Sequence, residues 1–234
     1  MKFVPVKGTQ VMFCIHETRR KDFAQYADTT PVANNTWKGN ELLRTQLEDP
    51  DNQPAYGIAF EDAVAFCAWL SNKEGKTYRL PTDKEWSYAA GIGHKEKWTK
   101  GTTPEVRSDQ KAGDYPWGKN FPPKSADRVG NYADTAWHEK SPGDPYISDY
   151  TDGFPATSPV MSFNANDQGL YDIGGNVAEW VSDWLNAEKT TNTLRGGSWI
   201  SGTKDEVLSS KRGALSGGVG YYNSFGFRVV LEQP

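Results

Sequence analysis

Hydrophobic and polar positions divide the chain into a patterned first third, a long middle without period, and a patterned final quarter. The run QVMFCIHET has the apolar density of a strand, and RRKDFAQYAD after it places Phe23, Tyr26 and Ala27 at helical spacing. In FEDAVAFCAWLSNKEGK the positions Ala63, Phe66, Cys67 and Leu70 fall on one helical face, and Gly75 follows as a stop. RLPTDKEWSYAAGIG offers Thr82 as an N-cap with Glu85 three residues on. This reciprocal capping pattern predicts a second helix from about Asp83, ending at Gly91.

Residues 92–168 are rich in Gly, Pro, Asp, Asn and aromatics, have neither period, and read as ordered loop. A loop that long inside a compact domain needs something besides hydrogen bonds to fix it. From Gly169 the pattern sharpens into GLYDIGGNVAEWVSDW, TLRGGSW and FGFRVVLE, each short and strand-like beside a glycine turn. There is no internal repeat and no low-complexity segment.

The 23 glycines and 14 prolines are scattered rather than gathered into a linker, so the 234 residues read as one domain, 1–234. The nine tryptophans supply the apolar area that a loop-rich fold must gain from few regular elements. A net charge of -4 without a basic stripe gives nucleic acid no electrostatic footprint. No eighteen apolar residues run together and MKFVPVKGTQ lacks a signal-peptide core, so no membrane span is expected and the default compartment is cytoplasmic. Cys14 and Cys67 sit among apolar neighbours and read as two reduced core thiols.

Chemistry of the common kinds is missing. GGSWI is not the G-x-S-x-G elbow, and LSGGVGYY lacks the Lys-Ser/Thr and helix of a phosphate loop. His16, His94 and His138 have no metal-ligand spacing, and the pair Glu179 and Asp183 reads as structural. The stretch RGALSGGVGYYNSFGFR, residues 212–228, has no charge between its two arginines. Its tyrosines, serines and glycines have the composition of a recognition surface, with rigid aromatics for area and small polar groups for adaptable hydrogen bonds.

Six segments in order, ETRRKDFAQYA, AFEDAVAFCAWLSNKEGKTYRLPTDKEWSYAA, PWG, GLYDIGGNVAEWVSDW, LRGGSW and GFRVV, resemble the formylglycine-generating-enzyme or sulfatase-modifying-factor family. The resemblance implies an α+β, C-type-lectin-like fold with two helices, a small mixed sheet whose terminal strands pair, and much irregular loop. Family members include copper oxidases of substrate cysteine, iron-dependent sulfoxide synthases and non-enzymatic binders, and fold alone does not choose among them. In the copper oxidases two cysteines follow the GGS-aromatic motif and hold Cu(I), which soft thiolates select. The matching positions here are Ser201 and Glu206, so no copper is expected, while Ser198 matches a serine associated with the active site.

The resemblance also implies two structural Ca2+ sites, which would fix the long loop with hard oxygen ligands. One takes the side chains of Asn131 and Asp152 and the carbonyls of Tyr132 and Phe154; the other takes Asp172 and Glu179 and the carbonyls of Gly175 and Val177. It further places the segment between RGGSW and GFR on the open, ligand-binding face. Candidate contacts there are Ile200, Ser201, Thr203, Asp205, Leu215, Tyr221, Tyr222, Asn223 and Phe225, toward a protein or other surface ligand. Some similar proteins are variable proteins of diversity-generating retroelements, in which adenines of AAC-type codons are randomised before a GFRV-like strand. Such codons cannot yield Lys, Glu, Gln, Met or Trp, and all thirteen residues from Gly213 to Phe225 avoid those five. The expected function is therefore a non-catalytic ligand binder; the alternative is a tailoring enzyme with a non-cysteine metal centre.

Overall fold

Two small sheets carry the fold, and each is assembled from distant parts of the sequence. The computed structural model describes residues 1–32, 35–38, 49–108, 114–216 and 223–233. The first sheet joins β1 (Phe3–Pro5), β2 (Val11–Cys14), β3 (Tyr78–Arg79) and β8 (Val230–Glu232) in the antiparallel order β1-β2-β8-β3. The second joins β4 (Ala178–Trp184), β5 (Thr191–Arg195), β6 (Arg212–Ser216) and β7 (Phe225–Phe227) in the order β6-β5-β4-β7, with β4 and β7 parallel. The first strand the pattern predicts, β2, pairs antiparallel with the last, β8, which lies between β2 and β3.

The expected helices form where the pattern places them. In α1 (Arg20–Ala27) Phe23 and Tyr26 are buried. In α2 (Phe60–Glu74) the buried face is Ala63, Phe66, Cys67 and Leu70, and Gly75 caps the end. Rings of Phe23, Tyr26, Trp37, Phe66 and Phe227 pack around this face with Phe66 and Phe227 centroids 5.3 Å apart. Full burial of each such side chain contributes about 1.5–3 kcal/mol, which is how short elements hold a core. Both cysteines are free and buried. In α3 (Asp83–Ala89) the Thr82 hydroxyl accepts from the Glu85 amide at 3.1 Å, and the Glu85 carboxylate accepts from the Thr82 amide at 2.8 Å.

Three features depart from the sequence reading. The middle segment contains α4 (Pro104–Ser108) and α5 (Thr135–Lys140), so the described residues hold five α-helices, two more than the pattern predicts, and His138 lies in α5 rather than in a loop. Both are under two turns, too short for a readable period; α5 starts because the Asp134 carboxylate accepts from the Trp137 amide at 3.0 Å. The start of the glycine-serine stretch, read as loop, is strand β6, in register with β5 from Thr191↔Ser216 to Arg195↔Arg212.

The run FGFRVVLE, read as one strand, is divided: β7 belongs to the second sheet and β8 to the first. Arg228 makes the break necessary. Its guanidinium is fully buried, bonds the Glu179 carboxylate at 2.7 and 2.9 Å, and reaches the carbonyls of Cys14, Tyr171 and Asp172.

A second buried ion cluster ties α3 to β5 and β6. Asp83 receives the guanidinium groups of Arg107, Arg195 and Arg212, and Arg212 also pairs with Glu96. Burial alone would raise the Asp83 carboxyl, but Arg195 and Arg212 hold it below the ordinary carboxylate value. Burial lowers the Arg195 guanidinium to about 10 despite Asp83.

Candidate functional site

At the end of β5 the chain turns out of the sheet through Gly196 and Gly197, both at positive φ (97° and 70°). A Cβ on Gly197 would lie 3.2 Å from the Glu206 carbonyl oxygen and 3.4 Å from Ser201 Oγ, so glycine lets this turn close over itself. Two tight turns follow. Ser198 N–H donates to Ser201 Oγ at 3.1 Å, and Ser201 N–H donates to the Ser198 carbonyl at 2.9 Å. The Glu206 carboxylate then accepts from the amides of Gly202 and Thr203 at 3.1 and 3.0 Å.

These turns roof a cleft of ≈ 260 Å³ whose floor is Ala178 and Leu194 and whose walls carry Ser198, Ile200, Ser201, Glu206, Lys211, Ser224 and Phe225. Behind it, Arg195 is saturated by Asp83, Ser87 and the carbonyls of Ser209 and Lys211. Outside it, a Cβ on Gly202 would lie 2.3 Å from the Pro145 carbonyl oxygen, so the loop after α5 is pressed against this turn. That contact brings Trp137 edge-on to Trp199 with centroids 4.9 Å apart, and His138 stacks on Tyr146 at 3.9 Å.

Of the expected ligand contacts, Ile200, Ser201 and Phe225 line the cleft. Thr203 caps the Glu206 turn, its hydroxyl accepting from the Glu206 amide at 3.4 Å, and Asp205 is exposed on that turn. Asn223 is exposed, and its carbonyl accepts from Trp199 Nε1 at 3.1 Å. Leu215 is paired in β6 opposite Asn192. Tyr221 and Tyr222 lie outside the described residues. Sequence reasoning missed Ser224 and Lys211 in the cleft, and the packing of Trp137 against Trp199 beside it. Ser224 stood inside the segment already chosen for its composition, but nothing in the sequence brings α5 to this face.

The two sets of residues expected to hold calcium differ in how far other partners occupy them. Asn131 donates its amide to the Ala156 carbonyl at 2.7 Å, while its Oδ1 is buried and has no hydrogen-bond partner. Asp152 accepts from the amides of Tyr132 and Phe154 at 2.9 and 2.8 Å, and burial, then the neighbouring Asp134 carboxylate, pushes its carboxyl up to about 8. The donor set is oxygen throughout, with one unpartnered amide oxygen and one desolvated carboxyl. It fits a hard divalent cation.

At the second place Asp172 Oδ1 is also buried and without partner, and burial pushes its carboxyl up to about 6. Glu179, however, is committed on both oxygens, to Arg228 and to Trp86 Nε1 at 2.8 Å, so this set fits only in part. Among the described residues no three His, Cys, Asp or Glu side chains converge as a metal-binding group.

Two sheets, a loop-built cleft at the end of β5 and the GGSW turn define a formylglycine-generating-enzyme-like domain. Residues 2–233 match the family model of the sulfatase-modifying factor enzyme 1-like domain, and the chain belongs to that family. It is 33% identical to the formylglycine-generating enzyme of Mus musculus over 154 residues, covering 66% of this chain and 33% of that protein. It is 37% identical to the inactive C-alpha-formylglycine-generating enzyme 2 of Bos taurus over 173 residues, covering 73% and 46%. The chain thus spans between a third and a half of the length of these relatives. The solved Treponema denticola variable protein 1 shares the fold, with a TM-score of 0.61, 19% identity and coverage of 100% and 92%. No helix among the described residues is long and apolar enough to cross a membrane.

Proposed function

We propose that this chain is a non-catalytic, ligand-binding member of its family and that the cleft at the end of β5 is its recognition site. One observation carries the reading. Where the copper oxidases hold thiolates, Ser201 Oγ and the Glu206 carboxylate stand instead, and both accept backbone hydrogen bonds of the cleft's own turns. Hydroxyl and carboxylate oxygens are poor partners for Cu(I), and the two thiols of the chain are buried elsewhere. The likeness to an inactive relative supports the same reading.

Purified protein given Cu(I), oxygen and a cysteine-containing peptide is expected to bind no stoichiometric copper and to yield no aldehyde by mass spectrometry. Aldehyde formation overturns the proposal in favour of an oxidase with a different centre.

Calcium belongs to this reading as a structural ion. Asn131, Asp152 and the Tyr132 and Phe154 carbonyls would hold one ion, and Asp172 with the Gly175 and Val177 carbonyls would contribute to a second beside Glu179. The four carbonyls named take no hydrogen bond from a described residue. A bound ion supplies positive charge that ionises the buried carboxyls and ties the middle loop together.

The fold likeness to a variable protein, with the codon-compatible composition before β7, supports a finer reading in which the face is diversified by a retroelement. Resequencing the gene across one population should then show substitutions concentrated in codons 200–225. Uniform codons there remove the diversification and leave a fixed recognition site.

A further inference from the structure

The cleft holds more hydrogen-bond donors than its own acceptors can use. Ser198 and Ser224 are 4% and 2% exposed and line the cleft, and their hydroxyls bond no described residue. Ser201 Oγ already accepts from Ser198 N–H, which leaves its own proton to donate. Lys211 is exposed, lines the same cleft and forms no ion pair with a described residue. Among the described residues lining the cleft only Glu206 offers a carboxylate; its Oε2 is occupied by two amides, while Oε1 accepts from no described residue. The Oγ atoms of Ser198 and Ser224 are not among the fully enclosed polar atoms, so each is free to meet a ligand acceptor in the cleft. This arrangement asks for a ligand rich in acceptors and carrying one negative charge.

The sheet fixes where each group stands. Lys211 precedes β6, Gly196 follows β5, and Ala178 opens β4 opposite Phe225 of β7, all at one level across the four strands. With strands about 4.8 Å apart, Lys211 and Phe225 are separated by roughly 14 Å. That width takes three or four extended residues at about 3.4 Å each. The charged end lies at Lys211, the hydroxyls and Glu206 follow, and the apolar end lies at Phe225 with Ile200 on the rim.

Resting on the reading of the cleft as a recognition site, we propose that it captures the carboxyl-terminal end of a peptide. The terminal carboxylate meets the Lys211 ammonium and the hydroxyls of Ser198 and Ser201. An amide N–H of the ligand donates to Glu206 Oε1, the Ser224 hydroxyl donates to a peptide carbonyl, and an apolar side chain lies against Phe225. A free N-acylated amino acid presents the same carboxylate and amide, so the two sources differ only in how much of the cleft they fill.

The test titrates the whole chain with acetyl-Gly-Gly-Leu as the free acid, with its carboxyl-terminal amide, and with N-acetyl-leucine, following tryptophan fluorescence or backbone NMR shifts. The acid is expected to bind at least tenfold tighter than the amide. Tripeptide binding tighter than N-acetyl-leucine assigns the ligand to a peptide end; equal binding supports the same chemistry with a small-molecule source. Lys211→Met should remove the preference for the acid, whereas Ser198→Ala with Ser224→Ala should weaken binding tenfold while the melting temperature stays put, because those hydroxyls bond no described residue. Equal affinity for acid and amide, or no binding of either acid at millimolar concentration, overturns the terminus assignment. The binding role itself fails on a different result, aldehyde formation, so the two failures are separable.

Discussion

Asp83→Asn should destabilise the domain by about 3–5 kcal/mol, the cost of removing one partner from a buried ion cluster. At this chain length each kcal/mol lowers the melting temperature by about 2–4 °C, so a fall on the order of 10 °C is expected in a thermal melt. Asparagine keeps the shape of the side chain but leaves Arg107, Arg195 and Arg212 around a neutral amide, with only Glu96, paired to Arg212, and the nearby Asp183 carboxylate to balance them among the described residues. The loss should spread beyond the site, because these groups join the start of α3 to β5 and β6, the strands that bracket the cleft turns. Asp167→Asn, at an exposed carboxylate, serves as the control and should change stability by no more than about 0.5 kcal/mol. A variant at position 83 as stable as its parent would mean that the cluster contributes specificity of packing rather than stability.

Removing calcium should have the second large effect. If the ion binds only the folded chain, calcium at a thousand times its dissociation constant stabilises by about 4 kcal/mol, and chelator should remove that amount. The pH dependence has a definite sign. In calcium-free protein burial and Asp134 keep the proton on Asp152 up to about pH 8, whereas the unfolded chain releases it near the ordinary value of about 4. The folded state therefore binds the extra proton across this window, and chelated protein loses stability as pH rises from about 4 to 8. Bound calcium favours the ionised carboxylate, so the gap between chelated and calcium-loaded melting temperatures should widen over the same range. Identical melts with and without chelator at pH 8 would sink the calcium proposal.

The legible parts of the fold were those with a strong local signal. The Ala63, Phe66, Cys67, Leu70 stripe and the Thr82 and Glu85 capping pair each need only one helix to be recognised, and both are in place. The β6 strand was not legible, because a five-residue strand containing glycine and serine owes its form to the ladder with β5 rather than to its own propensity. The division of FGFRVVLE did leave a trace. An arginine in the middle of an apolar run marks either an exposed edge or a buried partner, and the partner, Glu179, lies 49 residues away where no local pattern can point to it. The candidate site was half visible for the same reason. Ser198, Ser201 and Glu206 follow from one motif, while Lys211 is brought to the cleft by the pairing of β6 with β5 alone.

The position of β7 and β8 in one short segment bears on how the chain acquires its structure. As it leaves the ribosome, every described residue before Asn223 emerges while the first sheet still lacks the strand that separates β2 from β3, and the second lacks the neighbour of β4. Arg228, which satisfies Glu179, arrives in that same segment. Neither sheet can be completed in advance of the other, so the domain is expected to close late and all at once, with its longest-range contacts formed last.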